Sequence, residues 1–447
     1  MHNFIFRRII KFRRNYWFWP SLMTFGAVVL GFGLPYLDSW AGSDWIRAAG
    51  FIQATEVAGA RAILTTLAGA TLGLAGVAFS AAIVAVSFAT SNYGPRLIGN
   101  FMGDKTNQIV LGIFVATFVY CVAVLSMVHA PPDLSETEME DFVPQISVLF
   151  ALLLSLAAVA ALITYIHHIP ESINIMNLMA MIGDKLERSI VIMLDQADGL
   201  ARKDQDAVDV RAWSREPSGE DDFIIRTESA GFLQHFDIES LTKLAVKKNI
   251  KIILHRTPGD FLVSDEIIMS SNPHNNVDNM ALKRMHDCYT MGANRTDIQD
   301  VIFLVDQLGE VLGRALSPGV NDPDTAILCL NWLRGGLVVF ARRVPVQQPK
   351  SDNIVLYGRL TFEEMLSRSF DRTRQYIASD VTATLHALDV LRDIALAARC
   401  PAMADACVQQ LRRLAISARE ILSDSASHKD IEARLQRALQ ALASRES

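Results

Sequence analysis

The residues of this sequence best suited to form a polar site lie in its C-terminal half and are mostly aspartate and arginine. Carboxylates close to arginine can coordinate a cation or bind a charged partner, and such clusters are frequent at functional sites. We expect eight polar residues to gather between a small β module and a helical hairpin: Arg256, Asp260, Arg295, Asp297, Asp300, Arg314, Asn321 and Asp322.

The segment 314–326, RALSPGVNDPDTA, has the composition of a turn between two helices. Its Pro-Gly pair predicts the end of one helix, Asn321 or Asp322 suits the N-cap of the next, and Pro323 suits its first position. The acids here have two explanations. With Arg314 they could hold a cation or a partner, or they could simply favour the positive end of a helix dipole.

The sequence lacks the short motifs of common enzyme classes. It has no GxSxG, HExxH, GxxxxGK[ST] or GxGxxG in a suitable context, so we predict no enzyme activity, no catalytic residue, no metal and no cofactor. Five scattered cysteines favour free thiols over disulfides or a zinc site. With 42 Lys and Arg against 48 Asp and Glu, the net charge of −6 predicts no nucleic-acid partner.

The N-terminal third is predicted to lie in a membrane. The chain of 447 residues is 51% hydrophobic and 20% charged, with a mean hydropathy of +0.23. Four stretches of 23 to 34 residues contain no Asp, Glu, Lys or Arg: 15–37, 62–95, 106–132 and 142–170. A helix of about 20 apolar residues crosses a bilayer. We therefore predict a transmembrane domain at 1–170 with four helices, at about 17–37, 63–89, 108–130 and 143–168.

The basic residues between these stretches predict the orientation. Segments expected on one side of the membrane carry seven Lys or Arg, and those on the other side carry two. The side richer in Lys and Arg faces the cytoplasm. We therefore predict a multi-pass protein of the bacterial inner membrane, with the lipid bilayer as partner and with both its N-terminus and its C-terminus in the cytoplasm.

The second stretch carries a row of small residues on one helical face, because their spacing follows a period near 3.6. This small-residue row consists of Gly69, Gly73, Gly76, Ser80, Ser87 and Ser91. Small residues let another helix approach closely. The row therefore suits either packing inside one four-helix bundle or the lining of a central pore in a homo-oligomer, and the sequence leaves both open.

The remaining chain is predicted to be a cytosolic α+β region. Residues 171–222 suggest an amphipathic helix, lying on the headgroups or forming a stalk, and then a linker. Residues 223–290 suggest a small α+β module around a helix at 238–248 with Asp237 as its N-cap, and this pattern resembles a barrel-sandwich hybrid. Residues 291–447 suggest a helical domain that begins with a capping box at 296–299.

Several longer phrases occur in one order along most of the chain, among them ARAILTTLAGATLGLAGVAFS, YIHHIPESI, RTPGDFLV, RTDIQD and RALSPGVNDPDTAILCLNWL. In these phrases the sequence resembles the bacterial membrane proteins of domain-of-unknown-function family 2254. The resemblance implies four N-terminal membrane helices and a large cytoplasmic C-terminal region, and it names no catalytic residue.

Two functions fit these patterns. The first is a homo-oligomeric passive channel-like protein, with span two lining or packing its centre. Because no charge is expected within a span, a passive channel is favoured over a coupled transporter. The second is a membrane-anchored scaffold or sensor without transport, in which the spans only hold the cytosolic modules near a protein partner.

Overall fold

A computed structural model of the chain describes residues 17–41, 56–94, 104–128, 142–203, 222–343, 355–358 and 360–446. The chain is mostly helical, with a small sheet region, and it divides into an N-terminal unit of residues 1–177 and a C-terminal unit of residues 178–447. The basic N-terminal segment, most of the loops that predict the orientation and the linker at 204–221 lie outside the described residues.

The N-terminal unit contains the four predicted helices: α1 (Phe18–Ala41), α2 (Val57–Tyr93), α3 (Lys105–Met127) and α4 (Gln145–Ser172). Helix α2 begins six residues earlier and ends four residues later than its predicted bounds. With 37 residues it is about 55 Å long, which exceeds the hydrocarbon thickness of a bilayer. Helix α3 packs against the other three, so it forms the centre of this unit.

Two glycines allow the close packing of α1 against α3. A Cβ atom on Gly31 would lie 2.6 Å from the Cβ atom of Ala123, and one on Gly112 would lie 2.7 Å from the Sδ atom of Met23. A larger residue at Gly31 would push the two helices apart, and one at Gly112 would displace the side chain of Met23. The glycines that pack inside this unit are therefore different from those of the small-residue row.

Each of the four helices carries one charged residue near an end, outside the predicted bounds of the span, and the charges in α1 and α2 contact other helices. Asp38 lies in α1 and Arg61 in α2. The carboxylate of Asp38 accepts hydrogen bonds from the backbone N–H groups of Ile146 and Ser147, at 3.0 and 2.9 Å, where α4 begins. Nη2 of Arg61 donates to the carbonyl of Val128 at 3.0 Å, where α3 ends. Each charge satisfies an open helix end and has the sign that the helix dipole favours.

The C-terminal unit receives most of the predicted amphipathic helix, α5 (Ile175–Lys203), which packs against α9 (Pro323–Ala341). A Cβ atom on Gly183 would lie 2.1 Å from the ring of Trp332, and one on Gly336 would lie 2.9 Å from Leu186. Its buried face consists of Leu178, Met179, Ile182, Leu186 and Ile190. Protein therefore covers the apolar face that a helix on the headgroups would turn toward lipid.

Seven short strands form two small sheets with the orders β1-β5-β3-β7 and β4-β2-β6. The strands are β1 (Phe223–Arg226), β2 (Gly231–Phe236), β3 (Lys251–Leu254), β4 (Phe261–Leu262), β5 (Ile267–Asn272), β6 (Tyr289–Gly292) and β7 (Val355–Tyr357). Helices α6 (Ile238–Lys248) and α7 (Asn279–Asp287) complete the module, and the predicted cap of α6 by Asp237 is confirmed. Strand β7 pairs in parallel with β3, so the expectation of helix alone beyond residue 291 is wrong there.

The remaining helices are α8 (Val301–Ala315), α9, α10 (Phe362–Phe370), α11 (Arg374–Ile377), α12 (Val381–Ala397), α13 (Pro401–Ile421) and α14 (Ser425–Glu446). The predicted cap of α9 by Asp322, followed by Pro323, is confirmed. The capping box at 296–299 is wrong, because Asp300 caps α8 instead. Gln299 is engaged elsewhere: its side chain accepts from the N–H of Phe236 and donates to the carbonyl of the same residue, both at 2.9 Å.

Five helices of the described chain are long and apolar enough to cross a membrane, namely α1 to α4 and α9. In α9 the apolar side chains include Leu330, Leu333 and Leu337, which are fully buried within the C-terminal unit. Besides α5, the helix packs against α8, α10 and α12. Protein neighbours therefore cover much of the apolar surface of α9.

Candidate functional site

A cavity of about 570 Å³ lies in the C-terminal unit, between the sheets and the helices. It lies beyond the carboxyl ends of the parallel strands β3 and β7, where Leu254 and Gly358 line it. Apolar residues, among them Phe236 and Ile298, also line the cavity. Its size lies in the range of small-molecule sites, and its lining combines apolar residues with several charged ones.

Four of the eight predicted polar residues line this cavity: Arg256, Asp260, Arg295 and Asp300. They reach it from two directions. The turn after β3 supplies Arg256 and Asp260, and the segment before α8 supplies the other two. Their approach follows from the packing of that segment onto β2 through the side chain of Gln299.

The other four predicted residues lie elsewhere. Asp297 faces Lys185, with 3.4 Å between the carboxylate oxygen and Nζ. Arg314, Asn321 and Asp322 lie at the opposite end of α8 from Asp300, and the rise of this helix of 15 residues separates the two ends by about 22 Å. The eight residues therefore do not form one cluster.

The turn at Asn321 and Asp322 has a structural explanation. The carboxylate of Asp322 accepts from the N–H of Thr325 at 3.1 Å and from its hydroxyl at 2.6 Å, which is the geometry of a helix cap. Arg314 pairs with Glu310 of its own helix at 3.6 Å. The described contacts thus match the helix-dipole explanation of these acids.

An arginine–aspartate cluster lies beside the cavity and consists of Arg295, Asp300, Asp306, Arg368 and Arg372. Arg295 holds Asp300 with two hydrogen bonds, from Nε at 2.7 Å and from Nη2 at 2.9 Å. The Oδ1 atom of Asp300 also accepts from the N–H of Phe303 at 2.9 Å, so the same carboxylate caps α8. A carboxylate held by two N–H groups of one guanidinium has a fixed orientation.

Asp306 lies one to two turns further along α8, and its side chain is only 1% exposed. Three arginines surround it: Nη1 of Arg295 at 2.6 Å, Nε of Arg368 at 2.7 Å and Nη1 of Arg372 at 3.2 Å. Burial alone would raise the pKa of Asp306, but hydrogen bonds from Arg368 and Arg295 outweigh it and lower the pKa. This carboxylate is therefore charged, and it joins α8 to α10.

Burial has the larger effect on Asp300. It raises the pKa of this carboxyl group in spite of the hydrogen bonds from Arg295. Above Asp300 lies Gly259, whose φ angle of +103° is rarely adopted by other residues. A Cβ atom there would lie 2.3 Å from Oδ2 of Asp300, so only glycine fits this turn.

The turn after β3 holds its own polar residues in place. The guanidinium of Arg256 donates twice to Oε1 of Glu266, from Nε at 3.2 Å and from Nη2 at 2.8 Å. The Oδ2 atom of Asp260 accepts from the N–H of Thr257 at 2.9 Å and from its hydroxyl at 3.2 Å. The wall of the cavity is therefore preorganised by contacts within the turn.

Sequence reasoning missed Asp306, Glu364, Arg368 and Arg372. A usable signal existed for Asp306, because it interrupts the apolar residues Leu304, Val305 and Leu308 of one helix. An acid among such residues is buried only with a partner. The partner Arg368 lies near the end of α10 and Arg372 in the turn after it, both more than 60 residues away, and no local pattern joins them to Asp306.

The small-residue row faces outward from the N-terminal unit. Its six residues are all exposed, and a Cβ atom on Gly69, Gly73 or Gly76 would have nothing within 4 Å. The opposite face of α2 packs in the bundle through small residues such as Ala75 and Ala78. Among the described residues, the small-residue row therefore does not pack inside the four-helix bundle.

The adjacent histidines near the end of α4 have different partners. His168 contacts the carboxylate of Asp104, which also caps α3 by accepting from the N–H of Thr106 at 2.8 Å. His167 lies 3.3 Å from the carboxylate of Glu171 on its own helix. The two histidines therefore contact different carboxylates.

These features define a multi-pass membrane protein with a helical C-terminal part that contains a small sheet region and a ligand-sized cavity. The chain belongs to the family of predicted membrane proteins known as DUF2254, whose pattern it matches over residues 13–393. The family resemblance predicted from the sequence phrases is therefore confirmed.

Two curated relatives are similar to this chain. They are uncharacterized protein Rv1290c of Mycobacterium tuberculosis and uncharacterized protein Mb1321c of Mycobacterium bovis, each 28% identical over 312 residues. The match covers 68% of this chain and 56% of each relative, so the chain spans little more than half the length of these relatives. No solved structure matches the chain.

Proposed function

We propose that this chain is a four-span protein of the bacterial inner membrane, with both termini in the cytoplasm, that associates with copies of itself around a passive, channel-like centre. The observation that carries the proposal is the outward face of the small-residue row, where Gly69, Gly73 and Gly76 have open space around them. In lipid, a glycine and serine face of this kind suits the close approach of a second helix. A second copy of α2 would cover it.

The packing of α9 supports the count of four spans. Its length and composition suit a span, but its apolar residues already have protein neighbours in α5, α8 and α12. A helix that crosses the bilayer alone would leave such a surface to lipid. If α1 to α4 are the spans, the C-terminal unit lies on the same side of the membrane as the N-terminus.

A passive centre is favoured over coupled transport by the state of two charges. Asp38 and Arg61 are each hydrogen-bonded to a helix end, so they are poorly placed to carry an ion or a proton. Coupled transporters usually depend on ionisable groups inside the membrane. The row itself consists of uncharged residues.

Cysteine crosslinking in membranes tests self-association. In a background with the five native cysteines replaced by alanine, Gly73→Cys should crosslink between copies. Ala75→Cys is the matched control, because Ala75 is buried inside the unit and should not crosslink. Equal crosslinking of the two variants would refute the contact between copies through the small-residue row.

The channel is tested separately, by ion flux into liposomes. Gly73→Leu should reduce the flux of the reconstituted protein, because a leucine fills the contact. If the copies crosslink but no flux is measured, the channel is wrong and the association stands.

A second function is favoured by the cavity: a membrane-anchored sensor that binds a small molecule in its C-terminal unit. Ile298 lines the cavity, so Ile298→Trp should fill it. Val320→Trp is the control, because Val320 is as exposed and lies outside the cavity. After incubation with cytosolic metabolites, native mass spectrometry should detect a small molecule on the control and not on Ile298→Trp. No bound molecule, or equal retention by both, would refute this function.

A further inference from the structure

Among the residues that the structure describes, the charged side chains that line the cavity are balanced in sign. Three arginines, Arg256, Arg295 and Arg368, face it together with three carboxylates, Asp260, Asp300 and Glu364. A cavity with an excess of one charge would favour an ion of the opposite sign. This one favours a ligand that carries both signs or neither.

Only some of these groups keep hydrogen-bonding capacity for a ligand. Asp300 accepts from Arg295 on both oxygens, and Arg256 is held by Glu266, so these two pairs are closed. Asp300 is almost fully buried as well. These two pairs shape the cavity wall, and other side chains provide the hydrogen bonds for a ligand.

Arg368 keeps donors for a ligand. It spends Nε and Nη2 on Asp306, at 2.7 and 3.0 Å, and within the described chain Nη1 has no protein acceptor. Its side chain is 43% exposed, whereas that of Asp306 is buried. With Arg295, Arg368 and Arg372 facing Asp300 and Asp306, the cluster has one positive charge in excess. A ligand's acid group would compensate it.

Asp260 keeps an acceptor. Its Oδ2 atom is used by Thr257, and within the described chain Oδ1 has no protein donor. Glu364 similarly uses one oxygen, accepting from the N–H of Thr361 at 2.9 Å, and lies at the exposed rim. A protonated amine forms a charge-assisted hydrogen bond with a half-buried carboxylate that has a spare oxygen.

We propose that the cavity binds a small zwitterionic organic molecule, with its acid group at Arg368, its protonated amine at Asp260 and an apolar part against Phe236 and Ile298. The cavity volume of about 570 Å³ is ample for a molecule of this class. The proposal rests on the sensor function stated above and names the chemistry of its ligand. The same pair of groups occurs in amino acids and in ethanolamine phospholipid headgroups.

Three probes that share one apolar body separate the contributions of the two charges. Phenylalanine carries both groups, 3-phenylpropanoate only the acid and phenethylamine only the amine. Isothermal titration of the full-length protein in detergent should give binding of phenylalanine, with each of the other two weaker by about tenfold or more. Equal affinity for phenylalanine and either analogue would overturn the proposal, and so would no binding of phenylalanine at millimolar concentration.

Two substitutions assign the groups, each with a matched control. Arg368→Lys keeps the charge beside Asp306 but removes the free nitrogen, and it should lower the affinity for phenylalanine by about tenfold. Arg372→Lys is its control, because Arg372 also contacts Asp306 but does not line the cavity. Asp260→Asn should cause a similar loss, with the exposed Asp265→Asn as control. Unchanged affinity in either cavity variant, with the protein folded by circular dichroism, would contradict the assignment.

A lipid arm distinguishes the two sources of such a ligand. Short-chain phosphatidylethanolamine, which carries an amine, is compared with phosphatidylglycerol of the same chains, which does not. Displacement of phenylalanine by the first lipid alone identifies a headgroup site, and displacement by neither identifies a free metabolite. If both lipids displace it equally, the amine is not recognised and the zwitterion proposal fails. A ligand retained from cytosol without any zwitterion binding would leave the sensor standing and refute only the ligand class.

Discussion

Asp38 accepts two hydrogen bonds from Ser147, one from its backbone N–H at 2.9 Å and one from its hydroxyl at 2.7 Å, although 109 positions separate the two residues. The residue before α4 is Pro144, whose side chain cannot cap a helix. The cap of α4 is therefore supplied by α1. A buried carboxylate in this role ties the first span to the fourth.

We expect Asp38→Ala to destabilise the N-terminal unit. The substitution leaves the N–H groups of Ile146 and Ser147 buried without their acceptor, at a cost of about 1–3 kcal/mol. Thermal unfolding of the purified protein in detergent measures the loss. Ser39→Ala is the control, because its hydroxyl bonds only to the carbonyl of Tyr36 in its own helix. Equal unfolding temperatures for both variants would contradict the capping role.

Asp306 should matter more than any exposed acid. Removing its charge leaves three arginines around a buried side chain, and the largely buried Arg295 loses a partner whose removal costs up to about 3–5 kcal/mol when the pair is fully buried. We expect Asp306→Asn to lower the unfolding temperature of the C-terminal unit strongly. Asp265→Asn makes the same change on a side chain that is 84% exposed and should have little effect. A small effect of both would mean that the arginines relax into solvent.

The stabilisation by Asp306 should depend on pH with a definite sign. Its arginine partners outweigh burial and lower its pKa in the folded protein. A lowered pKa gives stability that is present above the unfolded value of about 3.9 and is lost as the pH falls through the folded value. The difference in unfolding temperature between the wild type and Asp306→Asn should therefore stay constant from about pH 8 to 5 and shrink below about pH 4. A difference that grows toward acid would have the wrong sign.

Gly259 should tolerate no side chain. Gly259→Ala places a methyl group against Oδ2 of Asp300 and forces a residue other than glycine to a φ of +103°. The backbone strain alone costs on the order of 1–3 kcal/mol. We expect lower stability and a disturbed cavity wall, measured by unfolding and by phenylalanine titration. Gly319→Ala is the control, because a Cβ atom there has open space and its φ is unstrained. Equal stability of the two variants would contradict the close approach.

The sequence predicts best the features that depend on local pattern. Charge-free stretches predict four helices, and Asp237 and Asp322 are recognisable as caps because their partners follow within three residues. The contacts of Asp38 with Ser147 and of Asp306 with Arg368 join positions that are far apart in the chain. Their side-chain types fit many partners equally well, so only the packing of the helices selects one.

The same difference between local patterns and distant contacts explains which cavity residues can be predicted from the sequence. Arg256 and Asp260 lie in one turn, which a Pro-Gly pair marks in the sequence. Arg295 and Asp300 lie in one short segment before a helix. These could be predicted as polar candidates. Arg314 and Asp322 are polar candidates of the same residue types, but they lie at the opposite end of α8 from Asp300. The length of α8 alone could have predicted this separation.

The position of the C-terminus decides whether α9 is a span. With α1 to α4 as the spans, two fusions, one ending at Gly319 before α9 and one at Ser447, should report the same side. Green fluorescent protein should be fluorescent and alkaline phosphatase inactive at both points, because both lie in the cytoplasm. If α9 crosses the bilayer, the Ser447 fusion alone changes side and its phosphatase becomes active. The packing of Gly183 against Trp332 argues for the first outcome, because α9 already has a protein partner that holds its apolar face away from lipid.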